Sequence, residues 1–132
     1  MKNNRNKRIL IVALSIIVII GVSVFFGFRA INKKLESFNH IDFSALDLSK
    51  VSDGTYTGSA DGTIVKATVE VTVKDHVITN VTILKHESGK GQPAEVIVDD
   101  IVRQNSLEVD AISGATHSSN IIKAAVLDAL TK

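Results

Sequence analysis

The 132-residue sequence contains no cysteine and no tryptophan, and it has a single proline, methionine and tyrosine. The lack of cysteine excludes disulfide bonds, thiolate metal sites and thiol redox chemistry in this chain. A redox role would therefore require a bound cofactor. Aromatic residues make up 5% of the chain and there is no basic stripe, so the composition gives no support for nucleic-acid binding.

Residues 9–28 form a run of twenty positions without a charged side chain, rich in Ile, Val, Leu and Phe. As a helix, this run would be about 30 Å long, which matches the hydrocarbon core of a bilayer. A cleaved signal peptide is the alternative, but its apolar region spans about 7–15 residues and leads to small residues at a cleavage site. This run is longer and ends in Phe-Phe-Gly-Phe-Arg. We therefore predict an uncleaved transmembrane helix over 9–28, in contact with membrane lipid.

The charges that flank the apolar run predict its orientation. Four Lys or Arg residues precede it, and three follow at positions 29, 33 and 34. The positive-inside rule places a tail of residues 1–8 in the cytoplasm and the rest of the chain outside. Residues 29–49 mix polar and apolar side chains without glycine, which predicts a partly helical tether. The remaining 83 residues, 50–132, should form the folded domain, with 8 Lys and Arg against 11 Asp and Glu.

Three segments rich in β-branched residues open this domain. The clearest is 64–74, where Val and Ala alternate with Lys, Thr and Glu, the pattern of a strand with one buried face. Asp61-Gly62 before it and Asp75-His76 after it are turn signals. We predict strands at 55–58, 64–74 and 77–84, in an antiparallel meander.

Two helical patterns follow the strands. Pro93 can begin a helix over 93–105, because the missing N–H of proline does no harm in a first turn. Residues 118–130 place apolar side chains on one helical face, with Ser118 or Ser119 as the predicted cap. The order of elements predicts an α+β fold, in which a small antiparallel β-sheet has helices packed on one side and a single N-terminal transmembrane helix precedes it.

Hydroxyl and imidazole side chains raise the hypotheses of a hydrolase and of a metal site. Ser113-Gly114 does not follow the G-x-S-x-G pattern of a nucleophile elbow. The histidines at 76, 86 and 117 lack ligand spacing on one element, so we predict surface or turn histidines and no metal site. Gly89-Lys90-Gly91 lacks a complete phosphate-loop pattern. We predict no catalytic residue in this domain.

The most specific segment is residues 110–116, which read Asp-Ala-Ile-Ser-Gly-Ala-Thr. This polar, glycine-centred turn places a hydroxyl close to a helix N-terminus, where a phosphate is favoured. The segment resembles the flavin-attachment motif D-x-x-S/T-G-A-T of the FMN-binding domain family. That family includes flavin subunits of sodium-pumping NADH:quinone oxidoreductase and of the Rnf complex. The matching positions are Asp110, Ser113, Gly114, Ala115 and Thr116.

The resemblance extends over residues 52–130. Lys85-His86-Glu87, with Gly89 and Gly91 after it, resembles the loop that reaches toward the flavin. Residues 87–91 read Glu-Ser-Gly-Lys-Gly, whereas the large complex subunits have Thr-Pro-Gly-Leu-Gly. His76 also stands where many members carry a turn glycine.

The resemblance implies that Thr116 is joined to the phosphate of FMN by a phosphoester bond. A separate flavin transferase, with FAD as the FMN donor, would make the bond. The expected cofactor-binding residues are Thr116, Asp110, Ser113, Gly114, Ala115, His86, Glu87, Gly89 and Gly91.

The expected function is that of a membrane-anchored, extracytoplasmic flavoprotein that transfers electrons between membrane or extracellular redox partners. Three alternatives remain: a non-covalent flavin-binding module, a structural domain of a membrane redox assembly, and a flavin-dependent reductase. The reductase would need a substrate pocket beyond the flavin, for which 83 residues leave little room.

Overall fold

The computed structural model describes residues 2–132 and begins with a 36-residue helix, α1 (Lys2–Ser37), which extends beyond the predicted span at both ends. The large apolar side chains of its residues 9–28 are exposed, Phe26 for example to 66%. An 18-residue window of the N-terminal helix has a mean hydropathy of 3.2, so the helix is long and apolar enough to cross a membrane. The N-terminal part of α1 forms one compact unit, and Lys34–Lys132 form a second.

A three-stranded antiparallel sheet with the order β1-β2-β3 lies at the centre of the second unit. The strands are β1 (Gly54–Asp61), β2 (Lys66–Lys74) and β3 (Val77–Glu87). The predicted alternation in β2 is confirmed, because Val69, Val71 and Val73 are buried while the polar residues between them are partly exposed. One face of the sheet therefore supplies the core, and the other faces solvent.

The turn between β2 and β3 has left-handed backbone at both of its residues, with φ of 53° at Asp75 and 62° at His76. Two consecutive positive φ values are typical of a two-residue type I′ hairpin, which favours glycine or asparagine. Contacts outside the turn compensate for the unfavourable left-handed backbone conformation of His76. Its Nδ1 lies 3.1 Å from the carbonyl oxygens of Leu48 and Val51, and the Asp75 N–H donates to Asp53 Oδ1 at 2.8 Å.

Two α-helices follow the sheet, α2 (Ile97–Gln104) and α3 (Thr116–Leu130). Pro93 opens a 3-10 turn, Gln92–Val96, so the first helical segment becomes α-helical only after that turn. Asn105 ends α2 in the left-handed conformation, and its side-chain oxygen accepts a hydrogen bond from the Ile78 N–H at 2.8 Å. The end of α2 is therefore fastened to the start of β3.

The prediction that Ser118 or Ser119 caps the last helix is wrong, because α3 begins at Thr116 with Ala115 as its N-cap. Both serines lie buried in the first turn. Ser119 Oγ accepts a hydrogen bond from the Ile112 N–H and donates one to the Ala115 carbonyl, both at 2.9 Å. The hydroxyl thus fixes the segment before the helix instead of capping the helix.

Helix α3 packs against β1 and β2, and α2 packs against β3, which confirms the α+β fold. Ile121, Ile122 and Val126 of α3 are fully buried. At Gly58 in β1 the helix backbone comes so close that a Cβ atom would overlap the Ala125 carbonyl oxygen. Only glycine permits this approach, which sets the distance between helix and sheet.

Residues 38–50, here called the connecting segment, join α1 to the domain. They form three one-turn 3-10 helices, Phe38–His40, Phe43–Ala45 and Leu48–Lys50. The predicted tether is thus partly helical, but it packs on the domain. Leu35, at the end of α1, is 5% exposed. A Cβ atom built on Gly62 would lie 2.8 Å from Leu35 Cδ2, so the Leu35 side chain packs beside that glycine. The compact unit therefore starts at Lys34, earlier than the boundary expected at Lys50.

Replacement of Gly58 by alanine should destabilise the domain by about 1–3 kcal/mol or more, because the added Cβ would meet helix backbone that cannot rotate away. Urea unfolding of the full chain in detergent, followed by circular dichroism, measures this change. Ser59→Ala is the matched control, since its side chain is exposed and its contact with Asp128 uses the backbone N–H. An unchanged unfolding free energy for Gly58→Ala would contradict the close approach of α3.

Candidate functional site

A tight turn over residues 112–115 leads into α3. The Ala115 N–H donates to the Ile112 carbonyl oxygen at 2.9 Å, and Gly114 has a φ of 78°. A positive φ at the third residue is characteristic of a type II turn, where glycine is favoured. No atom lies within 4 Å of a Cβ built on Gly114, so this position faces open space. The glycine is required by backbone conformation and leaves the approach to Thr116 unobstructed.

The first turn of α3 has no side-chain cap. Ala115 occupies the N-cap position and makes no side-chain hydrogen bond to the helix. The Ser119 N–H bonds the Ala115 carbonyl, so the N–H groups of Thr116, His117 and Ser118 precede the helical hydrogen-bond ladder. Such groups, together with the helix dipole, favour an anion. The exposed Thr116 hydroxyl therefore lies at a position suited to a phosphate.

An open cavity of about 170 Å³ lies between the start of α3 and the loop after β3. Its walls are formed by Val65, Ser88, Lys90, Gly91, Gly114, Ala115, Thr116, His117 and Ser118. Pockets that enclose a whole drug-sized ligand measure roughly 300–1,000 Å³. This cavity has room for a phosphate and the first part of a group attached to it, but it cannot surround a complete flavin nucleotide.

The loop after β3 is packed directly onto the first turn of α3. A Cβ on Gly91 would overlap the Ser118 hydroxyl and would lie 2.8 Å from Ser118 Cβ. The Gly91 N–H also donates to the Ser88 carbonyl at 2.8 Å, which closes a turn around Gly89 and Lys90. Glycine at 91 thus brings Lys90 to the same cavity as Thr116.

The cavity is electropositive. Lys90 contributes a positive charge, the His117 imidazole can donate a hydrogen bond, and the N-terminus of α3 adds about half a positive charge. No carboxylate is among the residues that line the cavity. Asp110 is exposed and lies outside it. The site is therefore suited to an anionic ligand.

The structure gathers four of the nine predicted cofactor-binding residues at the cavity: Gly91, Gly114, Ala115 and Thr116. Ser113 and Gly89 are exposed in the two neighbouring turns. The carboxylate of Asp110 belongs instead to the surroundings of Lys123 on α3. The roles of these residues in cofactor binding stay predictions.

His86 and Glu87 are placed away from the cavity. The prediction of a surface histidine is wrong for His86, whose side chain is 1% exposed and whose Nδ1 lies 2.9 Å from Glu95 Oε1. Its Nε2 has no hydrogen-bond partner among the described residues. Burial follows from its position in β3 opposite Ala67, on the core face. Glu87 points elsewhere and pairs with Lys85 at 2.6 Å.

Sequence reasoning did not assign Val65, Ser88, Lys90, His117 and Ser118 to the site. His117 and Ser118 directly follow Thr116, so the start of a helix there would have indicated them. Lys90 belongs to an incomplete phosphate-loop pattern and replaces the leucine of the family pattern, and neither signal assigns it to the site. Val65 has no polar group that would suggest a role in binding. It lines the cavity because it lies in the loop between β1 and β2.

Other concave surfaces offer no comparable chemistry. A cavity of about 210 Å³ near the Asp61 end of the sheet contains charges that are already paired, Lys66 with Asp61 at 3.2 Å and Lys85 with Glu87. A larger groove of about 470 Å³ runs along α1 and is bordered by its apolar side chains. Size therefore does not identify the site, whereas the combination of Thr116, a helix N-terminus and Lys90 does.

A glycine turn, an uncapped helix N-terminus and a lysine surround one cavity of a small α+β module, an arrangement suited to a phosphate-bearing ligand. The model of the FMN-binding domain family matches residues 62–131, which is just over half of the chain and includes every residue of the cavity. The chain belongs to the FMN-binding domain family, which confirms the family predicted from the sequence. FMN is thus its cofactor, and the electropositive cavity fits the phosphate end of that molecule.

Gly91→Ala should destabilise the domain by about 1–3 kcal/mol, because the loop must move away from Ser118 to make room. In a Ser118→Gly background both overlapping atoms are gone, so the same substitution should cost less. Urea unfolding of the two single variants and the double variant gives the coupling energy. Strictly additive effects would show that Gly91 and Ser118 are not in contact.

Proposed function

We propose that this protein is a membrane-anchored, extracytoplasmic electron carrier that holds FMN covalently on Thr116. The observation that carries this proposal is the position of Thr116. Its hydroxyl is exposed, it stands at the first residue of α3, and it lines an electropositive cavity. No other threonine lines that cavity. A phosphoester at this oxygen would place the phosphate where the helix N–H groups and Lys90 favour negative charge.

Attachment requires chemistry from another enzyme. A threonine hydroxyl is a poor nucleophile unless a base or a metal activates it. Among residues 2–132, no group of three His, Asp or Glu is arranged to hold a metal ion. As the family resemblance implies, we assign the reaction to a flavin transferase with FAD as donor. The Thr116 oxygen forms a bond to the phosphorus of the FMN half, the pyrophosphate bond breaks, AMP leaves, and the hydroxyl proton passes to a base of the transferase.

The residues of the cavity would then have distinct tasks. The N–H groups at the start of α3 and the Lys90 ammonium would stabilise the phosphodiester charge. The small side chain of Ala115 and the open space at Gly114 would leave room for the transferase and for the ribityl chain. Ser119 would keep the turn in place through its bonds to Ile112 and Ala115.

Electron transfer follows from what FMN supplies and from what the domain leaves uncovered. Bound FMN accepts and donates electrons, whereas this chain has no redox-active thiol of its own. The cavity is too small to enclose the isoalloxazine ring, so the ring would be reachable by other redox proteins. This favours a carrier between membrane or extracellular partners over an enzyme with its own substrate pocket.

Anchoring and orientation complete the proposal. Helix α1 has the length and the apolar surface of a membrane span. Four Lys or Arg before residue 9, against three that flank the run on its other side at positions 29, 33 and 34, favour a cytoplasmic N-terminus and an FMN domain outside. A covalent bond suits that compartment, because FMN lost from the domain could not easily be replaced there.

Thr116→Ala should abolish the FMN mass increment when the protein is produced with a flavin transferase and FAD, because the acceptor oxygen is removed. Intact-mass analysis of the denatured protein measures the increment. Thr116→Ser should retain it, and Thr57→Ala, at an exposed threonine outside the cavity, serves as the matched control. An adduct on Thr116→Ala would move the attachment to another residue. Flavin that is released on denaturation from wild type without any adduct would favour a non-covalent module.

The absence of cysteine makes the topology directly testable, since one introduced cysteine gives a unique label. Ser52 and Asn4 are both exposed, on opposite sides of the apolar run. Ser52→Cys should react with a membrane-impermeant maleimide on intact cells, and Asn4→Cys only after the membrane is permeabilised. The reverse pattern would place the FMN domain in the cytoplasm.

A further inference from the structure

A lysine that the proposed function does not use is buried in α3. Lys123 is 7% exposed, and its Nζ donates a hydrogen bond to the Val109 carbonyl oxygen at 2.9 Å. Burial lowers the pKa of this ammonium, and the carboxylates of Asp110 and Glu108 partly oppose that effect. A charged group in such a position is costly unless its partners compensate for lost water. Its retention in the core therefore calls for a reason.

The connecting segment covers this lysine. The Phe43 ring lies with its centroid 4.2 Å from Lys123 Nζ, within the range of a cation–π interaction. One helical turn away, Asn120 Nδ2 donates to Asn39 Oδ1 at 2.8 Å. Because Asn120 and Lys123 are three residues apart, they share one face of α3. The connecting segment thus binds α3 through two polar contacts on that face.

Lys123 also contacts the chain that leads to Thr116. Val109 is 4% exposed and directly precedes Asp110, the first residue of the attachment motif. Three residues further along the same stretch, the Ile112 N–H donates to Ser119 Oγ. Residues 109–115 are therefore fixed to α3 by two of its side chains. Lys123 is the one that holds the first residue of this stretch, Val109.

We infer that Lys123 is a positioning residue for the modification of Thr116, and that Phe43 of the connecting segment keeps it in place. This inference rests on the proposed attachment of FMN at Thr116. Lys123 is seven residues beyond Thr116, about 10 Å along the helix, so it acts through residues 109–115 and not by contact with the phosphate. Through this contact the connecting segment would support the flavin site without lining it.

The first test needs no flavin. Hydrogen exchange of the unmodified full chain in detergent, analysed by mass spectrometry, should be roughly tenfold faster over residues 109–116 in Lys123→Met, as expected for a lost hydrogen bond from a charged donor. Phe43→Leu should have a smaller effect of the same kind, whereas Phe43→Tyr keeps the ring and should behave as wild type. Lys50→Met is the control, since that lysine is exposed and pairs only with Asp47.

Hydrogen exchange of the β2 amides distinguishes a local effect on residues 109–116 from a general loss of stability. Amides of β2 should keep their wild-type rates in these variants. Equal acceleration in β2 and in residues 109–116, or no acceleration in either, would overturn the inference. If Lys123→Met does not fold, the Phe43→Leu and Phe43→Tyr pair decides by the same criterion.

The second test measures the consequence for modification. With a flavin transferase and FAD, the initial rate of adduct formation should fall at least severalfold in Lys123→Met and Phe43→Leu, with the adduct still on Thr116, and Phe43→Tyr and Lys50→Met should match wild type. Unchanged rates would overturn the positioning role. If wild type itself forms no adduct, the proposed function fails, and the exchange data still report separately whether Lys123 and Phe43 order residues 109–116.

Discussion

The close approach of α3 to β1 is the constraint on which the rest of the domain depends. At Gly58 the absence of a side chain lets helix backbone lie directly on the strand. Helix α3 then provides much of the core through Ile121, Ile122 and Val126. Side chains on its other faces contact the segments that surround the helix. Its first turn forms the cavity wall, Ser119 and Lys123 fix residues 109–115, and Asn120 binds the connecting segment.

The sheet and the family of the chain were predictable because their signals are local. Alternation in 64–74 and the turn dipeptides follow from side-chain periodicity and backbone conformation, and residues 110–116 form one contiguous motif. The start of α3 was misplaced because serine favours capping in general, whereas here Ser119 is used in a tertiary contact with Ile112. The burial of His86 depends on its register opposite Ala67, which includes a shift between Thr68 and Val69 that no sequence pattern shows.

The connecting segment shows the same limit. Its composition is mixed, so the sequence predicts a tether, yet Asn39 and Phe43 contact side chains of a helix that lies some eighty residues further along the chain. Contacts between residues so far apart in the sequence depend on the fold, and no periodic pattern in the sequence indicates them. The site is affected in the same way, since Lys90 reaches the cavity only because Gly91 packs on Ser118.

The small size of the cavity has a consequence for energetics. In the proposed carrier, a cavity of this size would surround only the phosphate end of FMN, and the ring system would have little protein environment of its own. The dielectric surroundings and hydrogen bonds that set the reduction potential would then come from water in the free protein and from the partner surface in an encounter complex. On this basis the driving force for electron transfer would be a property of each pair of proteins, and one carrier could serve partners of different potential without any change in its own sequence.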